Sequence, residues 1–338
     1  MKIIFFGTPL FAVPTLEKLL AHPEIEVAAA VTQPDKRRER GNKLTPSPIK
    51  SVAVAHNIPV WQPRRVKKDA RTLNLLRQAQ ADVFVVVAYG QILSAEILDM
   101  PKLGCVNVHG SILPKYRGAA PIQWSICHGE AETGNTTMLM DVGMDTGPML
   151  LKSLTPISLL DNAVSIAEIL AKDGADLLLK TLWKLENREI EAIAQDDSLA
   201  TYAPLIQNSD YQIDWSRSAL DIHNQVRGFF PNCFTSFRSQ SLKVMATMPV
   251  GAEYWSQLPP KLQKLEKVWS SEFEVAGNIG EVVKVIKGLG PVIQTGSGWL
   301  LLWQVQLAGK KIVSGWDFAN GTRLAVGEMI GKVGDWEY

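Results

Sequence analysis

The chain has 338 residues, 46% of them hydrophobic and 20% charged, with a formal net charge of +1. That length allows two domains and a core large enough to fold without a disulfide or a structural metal. Three scattered cysteines with no CxxC pair fit a reducing compartment, and the near-neutral total gives no global sign of a polyanionic partner.

The first segment, MKIIFFGTPLFAVP, predicts a buried strand over residues 2–6 that stops at Gly7-Thr8-Pro9. Its apolar run is shorter than the roughly 7–15 residues of a signal peptide, and no segment approaches the roughly 18 of a membrane span. A cytoplasmic chain is therefore expected, or one in an organelle matrix or stroma if a transit peptide has been removed. Helical spacing follows over residues 13–21, then a strand over 26–32 (EVAAAVT), helices over 45–56 and 69–78, and a strand over 82–88 (DVFVVVA). The last of these is apolar on both faces, as in the interior of a parallel sheet. Residues 105–109, 117–128 and 136–140 continue the alternation, and a long amphipathic helix starts near Asn162. Strands alternating with helices predict a doubly wound α/β domain over residues 1–190.

Residues 191–208 read as a polar connector, and the texture then changes. One helix is expected over 219–226, followed by short β-like runs over 235–237, 242–248, 280–286, 292–294, 299–305 and 311–313. Glycine and proline separate them closely, which favours a small antiparallel barrel or sandwich over residues 209–338.

The chemistry-bearing segment is VNVHGSILPKYRGAAPIQ, from Val106. Residues two apart on a strand share a face, so Asn107 and His109 project together while Val106 and Val108 face the other way. They fall at the carboxyl end of a strand, where ligands of open α/β sheets bind. An amide beside an imidazole suits an oxygen that gains negative charge, although the same pair could serve only to satisfy loop backbone groups. The segment MDVGMDTG, from Met140, adds a loop that could bring Asp145 to His109 as a proton partner. The chain lacks GxGxxG, GxxxxGK[ST], HExxH and GxSxG, and it lacks the further ligands of an EF-hand loop. Acyl-type chemistry with neither a metal nor a protein nucleophile remains.

These segments, with FFGTPLFAVPTL, TQPDKRRERGNKLTPSPIK, VVAYGQIL and YAPLI, occur in the order seen in the folate-dependent formyltransferases, which the chain closely resembles over residues 1–230. The resemblance implies a Rossmann-like formyltransferase domain followed by an OB-like barrel that binds tRNA. It implies 10-formyltetrahydrofolate as formyl donor, no metal, and transfer to the α-amine of methionine esterified to initiator tRNA. The catalytic set maps to Asn107, His109 and Asp145. Folate contacts map to Tyr89, Gly90, Gln91, Ile92, Asp141 and the segment Ser111-Ile112-Leu113-Pro114, where the family more often has SLLP. A monomer is expected.

Residues 34–50 carry six basic side chains against Asp35 and Glu39, net +4. In a loop longer than a strand–helix link needs, Arg37, Arg38, Arg40 and Lys43 are candidates for the tRNA backbone. Residues 64–71 add Arg64, Arg65, Lys67, Lys68 and Arg71 against Asp69. Two departures stand out: the connector LIQNSDYQIDW lacks the lysine usual in the family, and VRGFFPNCFTSF replaces a Pro-Trp-Pro-Gly run. Rival expectations are transfer to glycinamide ribonucleotide or an amino sugar nucleotide, and a non-catalytic RNA-binding protein.

Overall fold

The computed structural model describes residues 1–38, 43–258 and 277–331. They divide into two compact units, one of Met1–Pro121, Glu132–Thr155 and Ala167–Pro204, the other of Ile122–Ala131, Pro156–Ile166 and Leu205–Tyr338.

In chain order the elements up to residue 203 are β1 (Lys2–Gly7), α1 (Val13–Leu20), β2 (Glu26–Val31), β3 (Lys36–Arg38), β4 (Lys43–Thr45), α2 (Pro48–Ala55), β5 (Val60–Trp61), α3 (Ala70–Ala79), β6 (Val83–Val87), α4 (Ala95–Leu98), β7 (Cys105–His109), β8 (Arg117–Gly118), α5 (Pro121–Cys127), β9 (Glu132–Leu139), β10 (Met149–Pro156), α6 (Ala163–Glu186) and β11 (Tyr202–Ala203). Seven strands form one sheet in the order β10-β9-β7-β6-β1-β2-β5. β5, β2, β1, β6 and β7 are parallel, and β9 runs antiparallel to β7.

The apolar runs read from the sequence are the middle of this sheet, and their period of two divides its core. Ile3, Phe5, Val83, Val85, Val106 and Val108 pack on one face with Leu16, Leu19, Leu178 and Leu182. Ile4, Phe6, Phe84, Val86 and Cys105 pack on the other with Ile97 and Leu98. Each such aliphatic side chain contributes about 1.5–3 kcal/mol by leaving water. On β7, Asn107 therefore belongs to the Cys105 face, and His109 follows it on that face at the strand's carboxyl end.

Helix starts follow local capping. Ser47 accepts from Lys50 N ahead of α2, and Asp69 accepts from Thr72 N ahead of α3. The helix expected from residue 117 begins only at Pro121. Arg117 and Gly118 instead pair with Tyr202 and Ala203, and Gly118 sits at φ 128, which takes it out of helical geometry. Within the basic segment, Lys36–Arg38 pair with Lys43–Thr45 as a hairpin where a loop was expected.

The second unit contains α7 (Ala219–Gly228), β12 (Phe234–Phe237), β13 (Gln240–Val250), β14 (Val282–Ile286), β15 (Gly290–Gln294), β16 (Trp299–Leu307), β17 (Val313–Ser314) and α8 (Gly315–Thr322). Its core gathers Trp215, Ile222, Val226, Phe229, Leu242, Val244, Leu300, Leu302 and Phe318. The antiparallel path is β12-β13-β16-β15-β14, with β17 pairing Gln304 and Val305 of β16 beyond the stretch that β15 takes. Among the described residues this sheet is open rather than closed into the expected barrel. β12 is bridged by Gln212, and Glu281, just ahead of β14, by Met329, so the two ends of the path do not meet.

Candidate active site

β7 presents Asn107 and His109 on one face, with His109 opposite Thr136 of β9. Both side chains are buried, Asn107 8% and His109 6% exposed. His109 Nε2 lies 2.9 Å from the Tyr116 carbonyl oxygen, which can only accept, so Nε2 carries the hydrogen. Its other nitrogen, Nδ1, lies 3.6 Å from Asp145 Oδ2. That separation exceeds a hydrogen bond but is within ion-pair range. With Nε2 committed to that carbonyl, Nδ1 is the nitrogen that faces the carboxylate.

Asp145 arrives from the loop between β9 and β10. Its Oδ2 accepts from Gly118 N at 2.9 Å, and its other oxygen has no partner among the described residues. Its backbone sits at φ 55, in the left-handed region that aspartate tolerates better than most residues. The Asn107 amide likewise has no hydrogen-bond partner among the described residues. Its polar atoms are therefore free to meet a bound oxygen. The three expected catalytic residues thus gather at one strand end, with one donor and one carboxylate oxygen left open.

A cavity of about 610 Å³ lies at the amino end of β7, walled by Leu98, Leu103, Cys105, Leu139, Met140, Asp141 and Val142 among others. It begins at Cys105, four residues and so about 13 Å along β7 from His109. Burial, with Asp99 adding to it, pushes the Cys105 thiol up to about 12, so the sulfur in this wall stays neutral.

Of the expected folate contacts, Asp141 lines the cavity, and its Oδ1 caps its own loop by accepting from Gly143 N and Thr146 Oγ1. Tyr89 is a core ring packed edge-on to Phe6, and its carbonyl accepts from Thr8 and Gln33. Gly90 stands at φ 81 with its carbonyl also held by Gln33. Gln91 is spent on Pro63 O and Val66 N, whereas Ile92 is 68% exposed. In the segment after His109, Ser111 Oγ donates to Lys115 O, and Thr136 Oγ1 donates to Ser111 O while accepting from Leu113 N. Leu113 is fully buried, Lys152 Nζ donates to its carbonyl, and Ile112 and Pro114 are half-buried beside it.

The basic hairpin is clamped at its base. Asp35 Oδ2 pairs with Lys50 Nζ at 2.6 Å and Oδ1 accepts from Gln62 Nε2 at 2.7 Å. The Gln62 and Lys50 hydrogen bonds hold the Asp35 carboxyl below the usual carboxylate range. Lys50 therefore spends its charge inside the protein. Arg40 lies outside the described residues, as do the side chains of Arg37, Arg38 and Lys43; the backbone places the last three on the hairpin strands.

The sequence reading passed over a cluster behind Asp145. Arg117 is 2% exposed and donates to Gln195 and Asp197, and Gln195 in turn donates to the loop that carries Asp145. Arg117 stood within the quoted motif, but Gln195 sits in a polar connector with no local signal. Among the described residues no group of His, Cys, Asp and Glu is placed to hold a metal ion.

A doubly wound sheet with an amide, an imidazole and a carboxylate at one strand end is the architecture of a group transferase, and the chain belongs to the formyl transferase family. The family's Formyl transferase model matches residues 1–182, and its C-terminal domain model matches 205–323. The chain is 88% identical to the methionyl-tRNA formyltransferase of Trichodesmium erythraeum (strain IMS101) over 97% of its own length and 98% of that relative. It is 66% identical to the protein of the same name from Trichormus variabilis (strain ATCC 29413 / PCC 7937), over 98% and 99% of the two chains. Among solved structures it is similar in fold to WlaRD, a sugar 3N-formyl transferase crystallised with dTDP and 5-N-formyl-THF. That likeness has a TM-score of 0.61 at 20% identity and covers 92% of this chain and 99% of that one.

Proposed function

We propose that the chain transfers a formyl group from 10-formyltetrahydrofolate to the α-amine of methionyl-initiator tRNA, for translation initiation in the cytoplasm. The observation that carries the chemistry is the His109–Asp145 pair, 3.6 Å apart beside the unpartnered Asn107 amide. The choice of acceptor rests on the high identity to relatives named for that reaction.

The folate supplies a formyl group on a nitrogen that can leave. The cavity fits a bicyclic ring, since ligand pockets run to about 300–1,000 Å³ with mostly apolar walls. Val142, in the cavity wall and 73% exposed, is a large apolar side chain that such a ring would cover. Asn107 donates its amide to the formyl oxygen as negative charge gathers there, and protonated His109 adds a positive field. Asp145, held by Gly118 N, turns its open oxygen to the attacking amine and takes its proton. Protonated His109 gives its Nδ1 proton to the departing nitrogen, and the proton that Asp145 has taken then replaces it.

Arg37, Arg38, Arg40 and Lys43 contact the phosphates of the tRNA end through a hairpin whose base Asp35, Lys50 and Gln62 fix. The antiparallel unit is read as an OB-like fold that holds the tRNA, a class that often binds oligonucleotides. The protein acts as a monomer. The test is transfer of labelled formyl from 10-formyltetrahydrofolate to methionyl-tRNA, glycinamide ribonucleotide and an amino sugar nucleotide in parallel. Transfer to the tRNA alone is expected, and transfer only to either small acceptor would overturn the reading.

A further inference from the structure

We infer that Gln195 is a positioning residue for Asp145, locked in its working orientation by the buried Arg117. The inference rests on the reading of Asp145 as the group that takes the amine proton.

The loop that carries Asp145 is tied to itself by Asp141 Oδ1, which accepts from Gly143 N and Thr146 Oγ1, and needs an anchor to the rest of the unit. Asp141, Val142, Gly143 and Met144 are exposed, and Asp145 itself sits at φ 55. A non-glycine residue in that region keeps its conformation only where its surroundings fix it. Gln195 Nε2 supplies the restraint, donating to Asp145 O at 2.8 Å and to Gly147 O at 2.7 Å, one hydrogen to each. Two carbonyls on either side of Thr146 are thereby drawn to one nitrogen. With Gly118 N on Oδ2, the residue is fixed by both its backbone and its side chain.

An amide can turn over and exchange its oxygen for its nitrogen. Arg117 prevents this, because a guanidinium has only donors. Its Nε and Nη2 lie 3.0 and 2.9 Å from Gln195 Oε1, so the oxygen must face the arginine and the nitrogen must face the loop. Arg117 also donates from Nη2 to Asp197 Oδ1 at 2.8 Å, which satisfies a charge that is only 2% exposed. The chain of contacts runs from Asp197 through Arg117 and Gln195 to the carboxylate opposite His109.

The isosteric substitution Gln195→Glu separates fold from positioning. A glutamate keeps and strengthens the contact with Arg117, but it loses both donors and sets a carboxylate oxygen against two carbonyls. The experiment is single-turnover formyl transfer by the full chain carrying Gln195→Glu, Asp145→Asn, or both, with melting temperature and folate affinity measured alongside. Gln195→Glu is expected to melt within a few degrees of the parent and to bind folate equally well. It should transfer about 10–100-fold more slowly, the scale of a misplacement near 1 Å. In the Asp145→Asn background the same substitution should cost less than about threefold, because its effect passes through that carboxylate. Transfer within threefold of the parent, or an equal loss in both backgrounds, would overturn the inference. Asp145→Asn at the parental rate would remove the proton role on which it rests. Should the glutamate variant melt far below the parent, Gln195→Leu gives the same comparison without a new charge.

Discussion

His109 and Asp145 meet at 3.6 Å with their roles divided by what else each one binds. The Tyr116 carbonyl fixes the hydrogen on His109 Nε2 and leaves Nδ1 facing Asp145. Gly118 N occupies one oxygen of Asp145 and leaves the other toward the open side of the site.

Replacing Asp145 with asparagine keeps an oxygen for Gly118 N but removes the carboxylate proposed to take the amine proton. Turnover should fall by about 100–10,000-fold, the range of a lost general acid or base, with the melting temperature moved by only a few degrees. Steady-state transfer to methionyl-tRNA together with a thermal melt checks both parts. A loss of turnover smaller than threefold would exclude the carboxylate from the reaction.

Asn107 makes a different prediction because its amide serves no structural partner. Asn107→Ala should leave stability nearly unchanged while kcat falls about 100–1,000-fold, the measured scale for a single oxyanion donor. A large loss of stability with normal kcat per folded molecule would instead make Asn107 a packing residue.

How much of this was legible in the sequence depended on whether the cause was local. The strand of Cys105–His109 followed from an apolar run of the right length, and the shared face of Asn107 and His109 followed from strand period alone. That Asp145 would reach His109 was open until the loop's return was seen, since Gly118 and Gln195, which hold it, come from separate segments. The Arg117–Gly118 strand was read as helix because its partner, Tyr202–Ala203, lies far along the chain. The six basic side chains over residues 34–50 include Lys50, which pairs with Asp35 only once the hairpin base is built, a pairing that leaves the net +4 unchanged.

The hairpin makes a salt-dependent prediction. Each phosphate contact adds about 0.7–0.9 to the slope of log affinity against log salt. Replacing Arg37, Arg38 and Arg40 together with alanine should reduce that slope for methionyl-tRNA by up to about 2–3 and leave folate affinity unchanged. Binding titrations between 50 and 300 mM salt measure it, and an unaltered slope would remove the hairpin from the tRNA interface.

His223 predicts an acid limit to stability in the antiparallel unit. Its Nε2 donates to the Leu159 carbonyl at 2.7 Å, and Nδ1 lies 2.9 Å from Thr247 Oγ1, inside a site that is 2% exposed. Burial pushes the imidazole down to about 4, with the Arg227 charge pushing the same way, so the folded protein keeps it neutral. In the unfolded chain the ring takes a proton near its ordinary value of about 6.5. The unfolded state therefore binds the proton first. Stability from this residue is complete above about pH 6.5 and is lost as the pH falls toward 4, by an amount on the order of 3 kcal/mol. Urea unfolding at steps from pH 7 to 4.5 should show that decline in the parent. His223→Asn, though less stable at pH 7, should show a shallower decline over the same window. An equal slope in the two proteins would assign the acid sensitivity to other groups.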